Sequence, residues 1–389
     1  MKKLLAILLS LMLIIGLAAC GGEKAPEAGT DSGKTDGEKE TVAEGKEVLK
    51  VVNLINGNLG DKSFHDSCEA GLSALKEEGY IEYKTIQMGA TEADRPKWKS
   101  TLEEVSEQGE YDVIVVGTYN MQEYLIEVAE QYPDQKYISY DAAVDLPNVA
   151  SITYKQNELG YLIGILAATF TTDTSIENVN ADKVIGFIGG GDIPVINDFL
   201  VGYIEGAKFV DPDIKVDAQY VGGTSGWSDP ATAKELSNVM ITQYKVDAIW
   251  NVAGGSGNGM AEACAELGAW FIGVDSDQEQ AFSEAQPELA AVTITSGLKR
   301  VDNSLIAVFK DIIDNGASPW GTTTELGLAE GGVGVATEGN YSKFFGDEIN
   351  KVIEKAKAGI DDGSIVVSSA FGMETAEVEA LRNEVSPRK

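Results

Sequence analysis

Residues 48–88, VLKVVNLINGNLGDKSFHDSCEAGLSALKEEGYIEYKTIQM, carry the pattern that decides the fold. The run 48–55 is apolar and β-branched with little alternation, which is the signature of a strand covered on both faces. Over 63–78 the apolar side chains fall at helical spacing, and 83–88 returns to strand-like composition. A strand, a helix and a second strand joined by short turns make a parallel βαβ unit.

The same alternation extends outward. Helices are predicted over 96–108 and 121–131, and strands over 113–116, 136–140 and 149–153. A second round follows, with strands over 184–188, 216–220, 248–252 and 271–274 and helices over 197–210, 231–244 and 259–267. A further strand over 292–295 and a helix over 301–315 close the regular part. Two α/β rounds of similar size predict two lobes, each a parallel sheet covered by helices, with a cleft between them. The expected division is 48–156 with 290–325 for the first lobe, and 157–289 with 326–389 for the second. More than one crossover between lobes would form a hinge. Ligands of open parallel sheets sit beyond the carboxyl ends of the strands, so the loops there are the place to look for chemistry.

Ahead of the fold stands Met1-Lys2-Lys3, an apolar run from Leu4 to Ala19, and Cys20 followed by two glycines. The apolar run is shorter than the ~20 residues a spanning helix needs, so 1–19 is expected to be a cleaved signal peptide. Leu17, Ala18, Ala19 and Cys20 resemble a bacterial lipobox, in which the cysteine thiol is acylated and becomes the new N-terminus. Acyl chains on Cys20 would hold the protein on the outer face of the cell membrane without crossing it. Residues 20–47 are small, polar and charged, and are expected to act as a flexible tether. No second apolar run is long enough to span. The stretch 161–170 reads as a buried helix.

The formal net charge of −32 argues against nucleic acid as a partner, because phosphate backbones are held by basic patches. It suits an exported, soluble chain, and a monomer is expected. With Cys20 acylated, Cys68 and Cys264 remain and are expected to be buried, unpaired thiols.

Enzyme chemistry finds few components. His65 is the single histidine, so histidine-rich metal sites and most catalytic triads cannot be assembled. The loop Gly254, Gly255, Ser256, Gly257, Asn258, Gly259 matches a nucleophile elbow only loosely. It lies between a strand and a helix, with Asp275 at the tip of the next strand. That arrangement imitates a dinucleotide fingerprint without its strict spacing. What survives is backbone amides at a helix start and a carboxylate placed to accept from sugar hydroxyls. No cofactor or metal is expected.

Three stretches then bring a family into view: Gly60-Asp61-Lys62-Ser63-Phe64, Gly186-Phe187-Ile188-Gly189-Gly190, and Ile272-Gly273-Val274-Asp275-Ser276-Asp277-Gln278. Together with Thr295-Ser296-Gly297-Leu298-Lys299 they resemble the basic membrane lipoprotein family, substrate-binding proteins of ABC transporters whose best-understood members bind purine nucleosides. The resemblance implies the type I periplasmic-binding-protein fold and a ligand enclosed between lobes. It implies that Phe64 and Trp227 stack on the two faces of a base, that Asp141 meets the base edge, that Asp275 and Lys299 grip ribose hydroxyls, and that Gly254 admits close backbone approach. Asn56 would contribute a further contact. Partners would be an ABC permease and its ATPase.

The chain departs from the family pattern in two places. His65 stands where an asparagine follows the Ser-Phe pair, and the loop Asn56-Gly57-Asn58 lacks the acid found there. An imidazole presents its donor and acceptor on opposite sides of a ring, so base selectivity does not carry over through His65. If His65 must be neutral, binding should weaken below about pH 6. Riboflavin or a small sugar are alternative ligands within the class. Outside it, a surface receptor or a nucleoside-processing enzyme are the alternatives.

Overall fold

A computed structural model describes residues 48–388. The expected signal peptide, Cys20 and the tether up to residue 47 lie outside the described residues.

The first round comprises β1 (Leu49–Ile55), α1 (Phe64–Glu77), β2 (Ile81–Gln87), α2 (Arg95–Gln108), β3 (Val113–Gly117), α3 (Gln122–Gln131), β4 (Lys136–Tyr140) and β5 (Val149–Tyr154). The second comprises α4 (Gln156–Thr172), β6 (Val184–Gly189), α5 (Pro194–Val210), β7 (Lys215–Tyr220), α6 (Pro230–Tyr244), β8 (Val246–Val252), α7 (Gly257–Leu267), β9 (Trp270–Asp275), the short α8 (Gln278–Phe282) and α9 (Pro287–Val292), and β10 (Thr293–Lys299). The chain continues through α10 (Val301–Asn315), β11 (Thr322–Leu326), β12 (Val333–Val335), α11 (Tyr341–Phe344), α12 (Asp347–Asp361) and α13 (Thr375–Val385).

These strands form two six-stranded sheets, ordered β11-β5-β4-β3-β1-β2 and β12-β10-β9-β8-β6-β7. Every pair is parallel except β12 against β10, which is antiparallel. The central strands β3 and β8 are buried along their whole length, as strands covered on both faces are; β3 is Val-rich, while β8 also buries Asp247 and Asn251. The expected two-lobed α/β fold is thus the observed one.

One boundary moves. The division at residue 290 would place β10 in the first lobe, but β10 pairs with β9 through Thr293↔Phe271 to Leu298↔Asp275 and so belongs to the second sheet. The crossover falls after Lys299, where α10 leaves to pack on α1. β11 then completes the first sheet beside β5, and β12 returns to the second. The chain therefore passes between lobes after β5, after β10 and after β11.

In the second lobe α4 and α5 pack backbone to backbone. A Cβ added at Gly206 would lie 2.0 Å from the Tyr161 carbonyl oxygen, and one at Gly202 2.0 Å from that of Asn157. Glycine at these positions lets two apolar helices approach closely and bury nearly all of α4. Among the described residues no helix is long and apolar enough to cross a membrane. Cys68 on α1 and Cys264 on α7 are buried and unpaired, in different lobes. Burial pushes the Cys68 thiol up to about 12.

Candidate ligand-binding cleft

The carboxyl ends of both sheets face one another, and the backbone there is unusual. Thr118 after β3, Asp141 after β4 and Asp275 at the end of β9 have φ of +80°, +70° and +65°, a conformation that costs a non-glycine residue about 1 kcal/mol or more. Gly254, after β8, has φ +54° and takes it without that cost. Chain reversals of this kind turn side chains at strand tips into the cleft.

The start of α1 forms one wall. Asp61 accepts from the backbone N–H of Ser63, His65 and Asp66 at 3.0, 2.9 and 3.1 Å. Asp66 returns the favour to the loop, accepting from the N–H of Gly60 and Lys62 at 2.7 and 2.8 Å. The loop with φ +93° at Gly60 and +55° at Lys62 is thus clamped by two carboxylates. Phe64 follows, its ring 5.4 Å from that of Tyr140. Tyr140 itself fits because β3 ends in glycine: a Cβ at Gly117 would lie 1.9 Å from its ring.

The imidazole of His65 lies against Gly57, where a Cβ would come within 2.3 Å of Nε2. Its Nδ1 is buried without a partner. Burial lowers the His65 pKa, outweighing the pull of Asp61 and Asp66 in the other direction. The loss of binding expected below about pH 6 through this residue therefore moves to lower pH, because a desolvated imidazole stays neutral further down. Burial raises the Asp61 pKa, opposed by His65 and the backbone donors. Asn56, nearby at the end of β1, accepts from Thr118 Oγ1 at 3.1 Å.

The opposite wall is built on glycines. Trp227 closes a turn over Thr224–Trp227 and lies on Gly190, where a Cβ would come within 2.2 Å of the indole. Ser256 Oγ donates to the Gly226 carbonyl and accepts from the Asp229 N–H, both at 2.8 Å, tying this turn to the Gly254 loop. Gly190 and Gly254 are therefore required to seat an aromatic ring and to turn the chain.

Between the walls, Lys299 is only 2% exposed. Its ammonium pairs with the Asp141 carboxylate and lies 5.6, 5.2 and 5.2 Å from the ring centres of Phe64, Tyr154 and Phe199. Burial raises the Asp141 pKa and the lysine opposes the rise. Asp275 accepts from Ser63 Oγ at 2.5 Å. Burial pushes its pKa up to about 7, with Lys299 and the Ser63 hydrogen bond pulling down and Asp61 and Asp141 adding to the rise. Further contacts join the lobes: Ser276 Oγ to the Lys62 carbonyl at 2.7 Å, Lys62 Nζ to the Ala281 carbonyl at 3.2 Å, and Thr224 to Glu92. The lobes stand closed on one another.

Together these walls enclose a cavity of about 260 Å³. Asn56, Phe64, His65, Asp141, Trp227, Gly254, Asp275 and Lys299 all line it. One arrangement was not anticipated: Asp141 and Lys299, assigned by resemblance to base edge and ribose, are paired with each other, because a buried ammonium and a buried carboxylate each need a counter-charge. Sequence reasoning missed Asp61, Thr118, Tyr119, Asn120, Phe199 and Asn258, which line the same cavity. Thr118 to Asn120 follow β3 just as Asp141 follows β4, and Asp61 lies inside the quoted Gly60 to Phe64 motif. Phe199 reads as a core position of α5.

Two parallel-sheet lobes, three crossovers, and a closed cleft at the strand tips define the architecture of extracytoplasmic substrate-binding proteins. A family model described as ABC transporter substrate-binding protein PnrA-like matches residues 48–367, and the chain belongs to this family. The CD4+ T-cell-stimulating antigen of Listeria innocua is 32% identical, covering 94% of this chain and 98% of the relative. The ABC transporter nucleoside-binding protein BmpA of Lactococcus lactis is 30% identical, covering 95% and 99%. Among solved structures, a solute-binding protein of an ABC transporter system from Aeropyrum pernix superposes with a TM-score of 0.72 at 28% identity, covering 87% of this chain and 99% of the other.

Proposed function

We propose that this substrate-binding protein captures purine nucleosides in the inter-lobe cleft and delivers them to an ABC permease. The observation that carries this reading is the pairing of Phe64 from the first lobe with Trp227 from the second on one cavity that also presents Asp275, Lys299 and Asn56. Two aromatic rings from opposing lobes suit a planar base held by closure, since stacking uses large area with little rotamer entropy. Carboxylates and an amide suit the hydroxyls and ring nitrogens. The name of the Lactococcus lactis relative points the same way.

In this reading Asp275 accepts from ribose hydroxyls, the Asp141–Lys299 pair presents its free oxygen and N–H groups to the ligand, and His65 faces the base as a neutral imidazole. The lobes open and close about the three crossovers. The chain works as a monomer, with Cys20 acylated and the tether spanning from membrane to fold. No bond of the ligand is made or broken.

A thermal-shift screen against adenosine, guanosine, inosine, their free bases, riboflavin and simple sugars tests the ligand. A ligand at ~100 times its dissociation constant adds ~2.7 kcal/mol. A rise with nucleosides and none with free bases supports the reading; a rise with riboflavin or a sugar alone replaces the ligand. Release of a Cys20→Ser chain from the membrane fraction, with the native chain retained there, tests the anchor.

A further inference from the structure

The N-terminus of a helix gathers free amides and the positive end of the backbone dipole, and so is the place where a phosphate entering a cleft would bind. The first turn of α1 lines the cavity through Phe64 and His65, and the loop before it through Gly60 and Asp61; the helix is fourteen residues long. Two of its first amides, and that of the Ser63 cap, are already taken. The Asp61 carboxylate accepts from the N–H of Ser63, His65 and Asp66, each within 3.1 Å.

The remaining charges point the same way independently. Asp141 and Asp275 also line the cavity, and among its lining residues there is no arginine and one lysine. That lysine, Lys299, is neutralised by Asp141 and enclosed by the rings of Phe64, Tyr154 and Phe199. A phosphate ester would meet three acidic side chains, of which Asp275 is protonated below about pH 7, and no uncommitted cation.

We infer that Asp61 is a specificity-determining residue: a built-in anion that fills the amide cradle of α1 and turns away 5′-phosphorylated nucleosides, so that the cleft takes the uncharged nucleoside. The organic part of the ligand rests on the nucleoside reading. The exclusion of phosphate rests on the occupied amides and the charge balance alone. Like charges brought together in a desolvated site act by repulsion, which selects against the wrong ligand without any new contact to the right one.

The test titrates the full chain, kept soluble in detergent, with adenosine, guanosine and inosine, each beside its 5′-monophosphate, and follows melting with inorganic phosphate. The native chain is compared with Asp61→Asn and with Asp61→Ser, the latter keeping a hydroxyl suited to capping the helix. The native chain should prefer nucleoside over monophosphate by at least about 100-fold. Each variant that melts cooperatively should narrow that ratio at least tenfold, and should gain a phosphate-dependent rise in melting temperature that the native chain lacks. Monophosphate binding by the native chain within about threefold of nucleoside overturns the inference, as does an unchanged ratio in a folded variant. If no nucleoside binds the native chain, the nucleoside reading fails and inorganic phosphate decides alone. A phosphate-dependent rise confined to the variants then upholds the role of Asp61, and its absence overturns it.

Discussion

Lys299 at the end of β10 and Asp141 after the end of β4 are paired across the cleft, so one buried ion pair joins the strand tips of two different sheets. Both side chains are nearly inaccessible, at 3% and 11%. Removing one partner leaves the other charge buried and alone. Lys299→Met should therefore destabilise the fold by about 3 to 5 kcal/mol, read from the urea midpoint, and Lys299→Met with Asp141→Leu should recover a large part of it. Strictly additive losses in the double variant would show that the pair is not coupled.

Asp275 makes stability depend on pH. Its folded pKa of about 7 lies above the ordinary carboxyl value, so between about 4 and 7 the folded state holds a proton that the unfolded state has released. The contribution is fully present below that window and is lost as pH rises through about 7, at up to ~1.4 kcal/mol per pH unit. The native chain should lose stability over this range relative to Asp275→Asn. Parallel curves for the two would mean Asp275 titrates normally. If ribose hydroxyls donate to the ionised carboxylate, nucleoside affinity should rise over the same window.

Phe64 and Trp227 should each carry a share of the binding energy. Phe64→Ala and Trp227→Ala are each expected to weaken nucleoside binding by about 10 to 100-fold, from the ~1 to 3 kcal/mol of a base–aromatic stack. Affinity within threefold of native in either variant would remove that ring from the account.

The contact of α4 with α5 tolerates no side chain. Gly206→Ala would drive a methyl onto the Tyr161 carbonyl, which is backbone and cannot rotate away. A loss of about 1 to 3 kcal/mol or more is expected from chemical denaturation. A neutral result would mean the helices can separate without loss.

Much of this architecture was legible in the chain because its elements are locally determined. The β-branched runs of β1 and β3 and the apolar spacing of α1 and α10 announce themselves within a few residues. The eight candidate site residues fall at strand tips and helix starts, positions that parallel topology brings to one place. What local pattern could not reveal depends on pairing at a distance. β10 looks the same whichever sheet it joins, and only its hydrogen bonds to β9 decide. β11, Thr322 to Leu326, is a mostly exposed edge strand with no apolar alternation to mark it. The Asp141–Lys299 pair joins residues far apart in the chain, and nothing near either one indicates that its partner is the other rather than a ligand.

The central claim is that the cleft recognises base and ribose together. Calorimetric titration of guanosine, inosine and adenosine, each against its free base and against ribose, tests it most directly. The account predicts saturable one-to-one binding of at least one nucleoside, with base and ribose each weaker by at least about 100-fold, because hydroxyl-binding groups left unpaired discriminate strongly. Free base binding as tightly as the nucleoside, or no nucleoside binding at all, would contradict it.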